Sequence, residues 1–345
     1  MDGYINRPLS QTLPESGDPT TGFALLPPQV VNDDGPPSNQ SSPYVHSFVS
    51  ALQRAGHTVS VVLPHTQRSW IGKAHIVGQA IKPTYFRPGT LHEDDGVATT
   101  HPLPADSSEE EWILIDSTPA SCVQIGLYHY FKSRGPIDLV ISGPNYGRNT
   151  TAVFALSSGT LGGAMEAAIC GVKAIALSYA FFDRNHDPEI IGAASEVSVQ
   201  LVEKLMRDWK EESGVQLYSI NVPLKPDVRE SKIVWTRMLQ NQWTSGSCFQ
   251  EIEVPDDEDQ GPEEREMEIR EGGENNGNNT PKEDGHIRFM HKHFKWAPRF
   301  KDVYDSVEKN GPGSDGWAVQ RGMISVTPLR ANFMHVDAME GELKL

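Results

Sequence analysis

Residues 30–37 read VVNDDGPP: an apolar stub, two adjacent carboxylates and a Gly-Pro-Pro turn. Asn, Asp, Gly and Pro are residues of turns, so the stretch marks the carboxyl end of a short strand. Asp33 and Asp34 repel as like charges, and at strand spacing their side chains point to opposite sides. A solvated turn tolerates such a pair. So does a divalent cation, which needs oxygen ligands and whose charge offsets the repulsion.

The flanking elements set the fold class. Gln29-Val30-Val31 precedes the pair as a strand cut short by Pro27 and Pro28, which predicts a weakened first strand. In SPYVHSFVSALQRAG (42–56), Val45, Phe48, Val49 and Leu52 recur at helical spacing and Gly56 supplies a stop. HTVSVVLP (57–64) reads as a strand, completing a β-α-β unit with the Asp pair at the carboxyl end of its first strand.

The pattern then repeats. EWILID (111–116) is a strand, and Ser117 or Thr118 with Pro119 opens a helix to Phe131. IDLVIS (137–142) is almost continuously apolar, as a strand buried on both faces should be. A small-residue helix over 160–170, a strand VKAIALS (172–178), a helix over 188–210 and a strand QLYSINVPL (216–224) follow. This alternation predicts an α/β fold with a mainly parallel sheet and helices on both faces. HIRFMHKHFKWAP (286–298) and GWAVQRGMISVTPL (316–329) read as two strands of a C-terminal hairpin.

Charge and composition place the rest. Of the formal net charge of −16, residues 251–285 hold −11, from 14 Asp and Glu against 3 Lys and Arg, leaving −5 elsewhere. That segment reads as a disordered acidic insertion between core segments 29–250 and 286–330, with a disordered leader at 1–28 and a tail at 331–345. The charge argues against a nucleic-acid surface. Cys122, Cys170 and Cys248 form no CxxC pair and suit a reducing compartment, so a cytoplasmic location is expected; no run of 18 apolar residues predicts a membrane span.

In an open parallel sheet, ligands bind beyond the carboxyl ends of the strands. Those ends carry Asp33-Asp34, then His65-Thr66-Gln67-Arg68-Ser69, then Ser142-Gly143-Pro144-Asn145. Two carboxylates, a hydroxyl and an amide carbonyl form an all-oxygen set, suited to Mg2+, Mn2+ or Ca2+ and not to structural zinc. Ser158-Gly159-Thr160 opens the small-residue helix, where free N–H groups and the dipole favour an anion such as phosphate, although plain N-capping reads the same. Hard metal plus phosphate cradle points to phosphoester hydrolysis.

Together these pieces resemble the SurE-type survival proteins, metal-dependent 5'-nucleotidases or acid phosphatases, in their fungal form. The matching blocks are VVNDDG (30–35), Arg68-Ser69, STPASCV (117–123), DLVISGPNYGRN (138–149), SSGTLGGAMEA (157–167), AIALS (174–178), INVPL (220–224) and SDGWAVQRGMISVTPL (314–329). The resemblance implies a Rossmann-like core and a protruding β-hairpin that joins subunits into a homodimer or higher homo-oligomer. It also implies hydrolysis of phosphomonoesters such as nucleoside monophosphates. It puts metal ligands at Asp33, Asp34, Ser69 and Asn145, phosphate binding at Ser158, Gly159, Thr160 and Asn149, and catalysis on Asp33, Asp34 and Asn145. Two departures stand out: the loop WIGKAH (70–75) differs from the Gly/Ser/Asn-rich bacterial form, and Ser121 stands where the bacterial pattern has Asp.

Two rivals remain open. An aspartyl-phosphate phosphatase wants Asp-x-Asp, whereas Gly35 stands two residues after Asp33. A non-catalytic nucleotide-binding or scaffold protein would fit a damaged first strand. His65, His75, His286, His291 and His293 read as surface or packing residues.

Overall fold

A computed structural model describes residues 26–182, 186–252 and 292–333. The expectations for the leader before residue 26, the insertion between 253 and 285, His286, His291 and the tail after 333 lie outside them. The chain divides into a main unit, 1–242 with 306–345, and a smaller unit, 243–305.

The main unit is built on one sheet. Its first strand, β1 (Pro28–Val31), is fully buried and runs parallel to β2 (Ser60–Pro64) on one side and to β6 (Leu139–Tyr146) on the other. Pro28 itself is part of the strand, at its first position, where a missing N–H is tolerated. Leu26 is also buried, and its N–H donates to His57 Nδ1 at 3.2 Å, so the chain is anchored ahead of β1.

Beyond β2 lies β5 (Trp112–Ile115), parallel to it, and then an antiparallel edge of β3 (Pro83–Arg87) and β4 (Val97–Thr99). Beyond β6 come the parallel strands β7 (Lys173–Ala180) and β8 (Leu217–Pro223). The order is β4-β3-β5-β2-β1-β6-β7-β8-β12-β9, where β12 is Ile324–Leu329 and β9 is Ile233–Trp235. The chain therefore winds outward from β1 in one direction and from β6 in the other. The crevice of such a sheet opens where the direction reverses, between β1 and β6.

Alternating side chains feed two cores. Val30, Ile141, Ile175 and Ile220 face α1 (Val45–Arg54) and α5 (Pro188–Asp208), which bury Phe48, Leu52, Ile191 and Val202. Val31, Val140, Ala174 and Ala176 face α2 (Pro119–Ile125) and α4 (Gly159–Ile169), which bury Cys122, Val123, Leu161 and Ala164. Each fully buried Val, Leu, Ile or Phe contributes about 1.5–3 kcal/mol. α2 gives way to a wider π-turn, Gly126–Tyr130, where a Cβ on Gly126 would lie 2.1 Å from the buried Gln29 amide nitrogen.

The C-terminal hairpin pairs differently from the sequence reading. β11 (His293–Trp296) pairs antiparallel with β10 (Phe249–Ile252) inside the smaller unit, across the acidic insertion. Residues 315–320 form a helix instead of a strand, since Ser314 Oγ caps it by accepting from Trp317 N–H. β12 then completes the main sheet, antiparallel to β8 and parallel to β9. In chain order the last two helices are α6 (Phe300–Asn310), which crosses the division between units, and α7 (Asp315–Gln320).

Asp315 ties three segments together. Its carboxylate accepts N–H bonds from Thr151 at 2.8 Å, Leu239 at 3.1 Å and Gly316 at 2.7 Å, and it is 1% exposed. The Thr151 bond starts α3 (Thr151–Ala155), which leads into α4. Asp315→Ala strands these donors, so an expected loss of about 2–4 kcal/mol, read by urea denaturation, follows. A change below about 1 kcal/mol would mean that water replaces the carboxylate at no cost.

Candidate active site

The turn after β1 is locked by Asn32. Its Oδ1 accepts from Gly35 N–H at 3.0 Å, and its Nδ2 donates to Gly35 O at 2.9 Å and Ser42 Oγ at 3.2 Å. Gly35 has φ +91°, which glycine adopts without strain. This turn projects Asp33 and Asp34 in different directions, as strand spacing requires.

Asp33 faces α4. Thr160 Oγ1 donates to its Oδ1 at 2.6 Å, and the Gly159 and Thr160 N–H groups also donate to the carboxylate. Gly159 is needed for this approach, since a Cβ there would lie 2.7 Å from Asp33 Cβ. Asp34 faces the end of β6, where the Tyr146 N–H donates to its Oδ2 at 2.6 Å, and Gln67 donates from the other side. Both carboxyls are buried, at 3% and 2% exposure. Burial raises the pKa of Asp33 against those donors; burial and then the charge of Asp33 push Asp34 well above the usual carboxylate range.

Asn145 arrives through an irregularity in β6. The β6–β7 register shifts between Ser142 and Asn145, at Gly143, whose φ is +128°. Such a bulge re-aims the residues that follow it. Asn145 Nδ2 donates to Gly147 O at 2.7 Å, leaving Oδ1 as the amide atom for a cation. Ser69 lies exposed after β2, next to Arg68, whose N–H donates to Asp33 O at 2.7 Å. The structure thus gathers Asp33, Asp34, Asn145 and the 68–69 segment at the switch point of the sheet.

The phosphate-cradle candidates have defined partners. Ser158 Oγ accepts from Leu161 N–H at 3.2 Å as the α4 cap, and the Gly159–Thr160 pair attends Asp33. The positive end of the α4 dipole therefore lies against the Asp33 charge. Asn149 is set back from them: its N–H donates to Asn221 Oδ1 at 2.8 Å and its Nδ2 to Ser178 Oγ at 2.9 Å.

Sequence reading gave no role to Gln67, Tyr146 or Glu166. Lys73, considered above only as part of the unusual 70–75 loop, forms an ion pair at 2.5 Å with Glu166 on α4. Gln124 Nε2 donates to Glu166 at 2.6 Å, and His75 lies 3.5 Å from it. Burial raises Glu166, but the bonds from Gln124 and Lys73 outweigh it and hold the carboxyl below its ordinary value. The signal was a lone acid inside an otherwise small-residue helix. His75 also bonds Ser121 Oγ at 3.1 Å, filling the position where the bacterial pattern has Asp.

Metal fit can be tested on the donor set. Among the described residues, no cluster of three or more His, Cys, Asp or Glu is poised for a metal. Asp33 and Asp34, however, are two adjacent buried carboxylates whose partners among the described residues are N–H, amide and hydroxyl donors. A divalent cation would supply the missing positive charge, and the Ser69 and Asn145 oxygens would suit a hard ion.

Residues 29–245 match the model of the family described as Survival protein SurE. The chain belongs to the SurE family. Among its relatives, "5'-nucleotidase SurE" of Ruegeria pomeroyi is 32% identical over 265 residues, covering 75% of this chain and 84% of that protein. A Saccharomyces cerevisiae protein named "Probable tubulin--tyrosine ligase PBY1" is 35% identical over 344 residues, 92% of this chain. The chain spans 42% of that relative's length. The SurE protein of Aquifex aeolicus, solved as a crystal structure, aligns with a TM-score of 0.56 over 89% of this chain and 94% of that one, at 22% identity. This likeness carries the SurE fold, a mostly parallel central sheet flanked by helices. No helix among the described residues is long and apolar enough to cross a membrane.

Proposed function

We propose that this SurE-family chain hydrolyses phosphomonoesters of the nucleoside monophosphate type with the help of a divalent cation, Mg2+ or Mn2+. The observation that carries the reading is the buried Asp33-Asp34 pair at the β1/β6 switch point, with no cationic side chain among the described residues to offset it. The sequence names of relatives such as the Ruegeria pomeroyi 5'-nucleotidase support it.

In this reading Asp33, Asp34, Ser69 and Asn145 hold the cation. When bound, it supplies Lewis acidity, polarising a phosphate oxygen and acidifying a water. Ser158, Gly159 and Thr160, with Asn149, position the phosphate at the positive end of α4. Asn145 contributes an amide dipole to charge building on the phosphate oxygens. Asp33 or Asp34 would orient the attacking water or accept its proton through the carboxylate oxygen that the cation leaves open. The exposed Phe249, Phe294 and Trp296 of the β10–β11 ribbon support self-association, and three unpaired cysteines support a cytoplasmic site of action.

Hydrolysis of p-nitrophenyl phosphate and a nucleoside monophosphate panel tests the reading. Turnover is expected to vanish in EDTA and return with Mn2+ or Mg2+. Phosphate trapped covalently on Asp33 during turnover would point instead to an aspartyl-phosphate enzyme. Folded protein inert with every metal would leave a binding protein.

A further inference from the structure

The loop after β2 carries an unusual residue beside the site. Arg68 N–H donates to Asp33 O at 2.7 Å and Gly72 N–H to Ser157 O at 2.9 Å, so Ser69, Trp70 and Ile71 are stapled at both ends. Within the staples Trp70 has φ +62°. A bulky side chain is strained in that left-handed region, and glycine is not. Strain of this kind persists only where the surroundings over-determine it, and it concentrates at functional sites.

What the strain achieves is a placement. Trp70 is 38% exposed, and its ring meets Phe154 of α3 edge-on, with centroids 5.8 Å apart. Leu156, 81% exposed, follows on the same side, and its carbonyl lies 3.4 Å from where a Cβ on Gly72 would be. An apolar ledge therefore adjoins both Ser69 and the Ser157–Thr160 segment. A second aromatic group stands near Asp34, but its Tyr146 ring is interlocked with Tyr44 at 5.5 Å, Phe181 at 4.9 Å and His186 at 5.3 Å. Trp70 and Leu156 are exposed, whereas Tyr146 is half-buried.

We propose that Trp70 is a specificity-determining residue whose exposed ring stacks on the planar aromatic part of the substrate alcohol, a nucleobase, while the phosphate lies at the metal and α4. The inference rests on the phosphomonoesterase reading and deepens it. Aromatic stacking of this kind tolerates any base, because every base presents a π-face. The site would thus favour aromatic phosphoesters over aliphatic ones without choosing strongly among purines and pyrimidines.

The test compares kcat/KM on AMP and on β-glycerophosphate for wild type, Trp70→Gly and Trp70→Phe in the full chain with Mn2+. Trp70→Gly is expected to lower the AMP to β-glycerophosphate ratio at least about tenfold, mainly through KM on AMP. Trp70→Phe should restore part of the ratio. Glycine accepts φ +62° freely, and this relief offsets the lost Phe154 contact, so the melting temperature of Trp70→Gly should stay near that of wild type, separating the ring's role from folding. Equal losses on both esters, or an unchanged ratio in an active enzyme, would overturn the inference alone. Wild type inert on both would overturn the phosphomonoesterase reading and this one with it.

Discussion

Asp34→Asn is expected to cost at least about a thousandfold in kcat/KM on nucleoside monophosphates while making the metal-free protein more stable. The loss follows from removing half of the charge that would hold a cation. The gain follows from burial: Asp34 is 2% exposed and shares its charge with Asp33, whereas an amide keeps an acceptor for the Tyr146 N–H. The pH dependence has a definite sign. Burial and the Asp33 charge raise the native pKa of Asp34 above its ordinary 3.8, so the native state binds a proton more readily than the unfolded chain. Wild type therefore loses stability relative to the variant as pH rises above that value, until the native group is fully ionised. Melting curves in EDTA across pH should show a gap that widens toward neutrality, and Mn2+ should narrow it. A gap of constant size, or of the opposite sign, would sink the account. Asp33→Asn should lose activity too, but without the stability gain. Its carboxylate is attended by the Thr160 hydroxyl and two N–H groups of α4, and an amide would turn its own N–H toward those donors.

The second large effect concerns Gly143. A Cβ there would lie 2.1 Å from Leu177 O, at a backbone φ of +128° that side chains rarely adopt. Gly143→Ala must spread β6 from β7 or flatten the bulge, at about 3–5 kcal/mol. Either movement carries Asn145 and Tyr146 with it, so Mn2+ affinity should fall alongside stability. Urea denaturation and Mn2+ titration measure the two. Gly192→Ala in α5 is the control: nothing lies within 4 Å of that Cβ, and alanine favours a helix. Equal behaviour of the two variants would mean that the β6 bulge is not what positions the site.

The central architecture could be read from local pattern because its strands and helices are patterned locally. VVNDDGPP, IDLVIS and VKAIALS are apolar runs ending in polar turns, and α1 and α5 carry clean helical spacing. Asp33, Asp34 and Asn145 could be placed in one crevice because each lies at or just beyond the carboxyl end of a strand. What escaped was set by distant partners. PTYFR at β3 is half-buried with no alternation, since it packs one edge of the sheet, and VAT at β4 is largely exposed. The β12 strand pairs with β8 and β9, not with the segment just before it, and no spacing rule distinguishes those choices. The role of Thr160 toward Asp33, and the Lys73–Glu166 pair, likewise depend on α4 packing beside the 68–75 loop.

The placement of β1 at the centre of the sheet also has a kinetic side. Asp34 meets its Tyr146 donor 112 residues later in the chain, and Asp33 meets Thr160 127 residues later. Closing loops of that length costs entropy before any contact repays it, so topologies of this kind fold slowly. During synthesis the two carboxylates leave the ribosome long before the strand and helix that enclose them. Until β6 and α4 arrive they remain hydrated, apart from their donors and without the buried setting that gives them their chemistry. The centre of the sheet and the proposed reaction centre thus form in the same late step, and a half-made chain has neither.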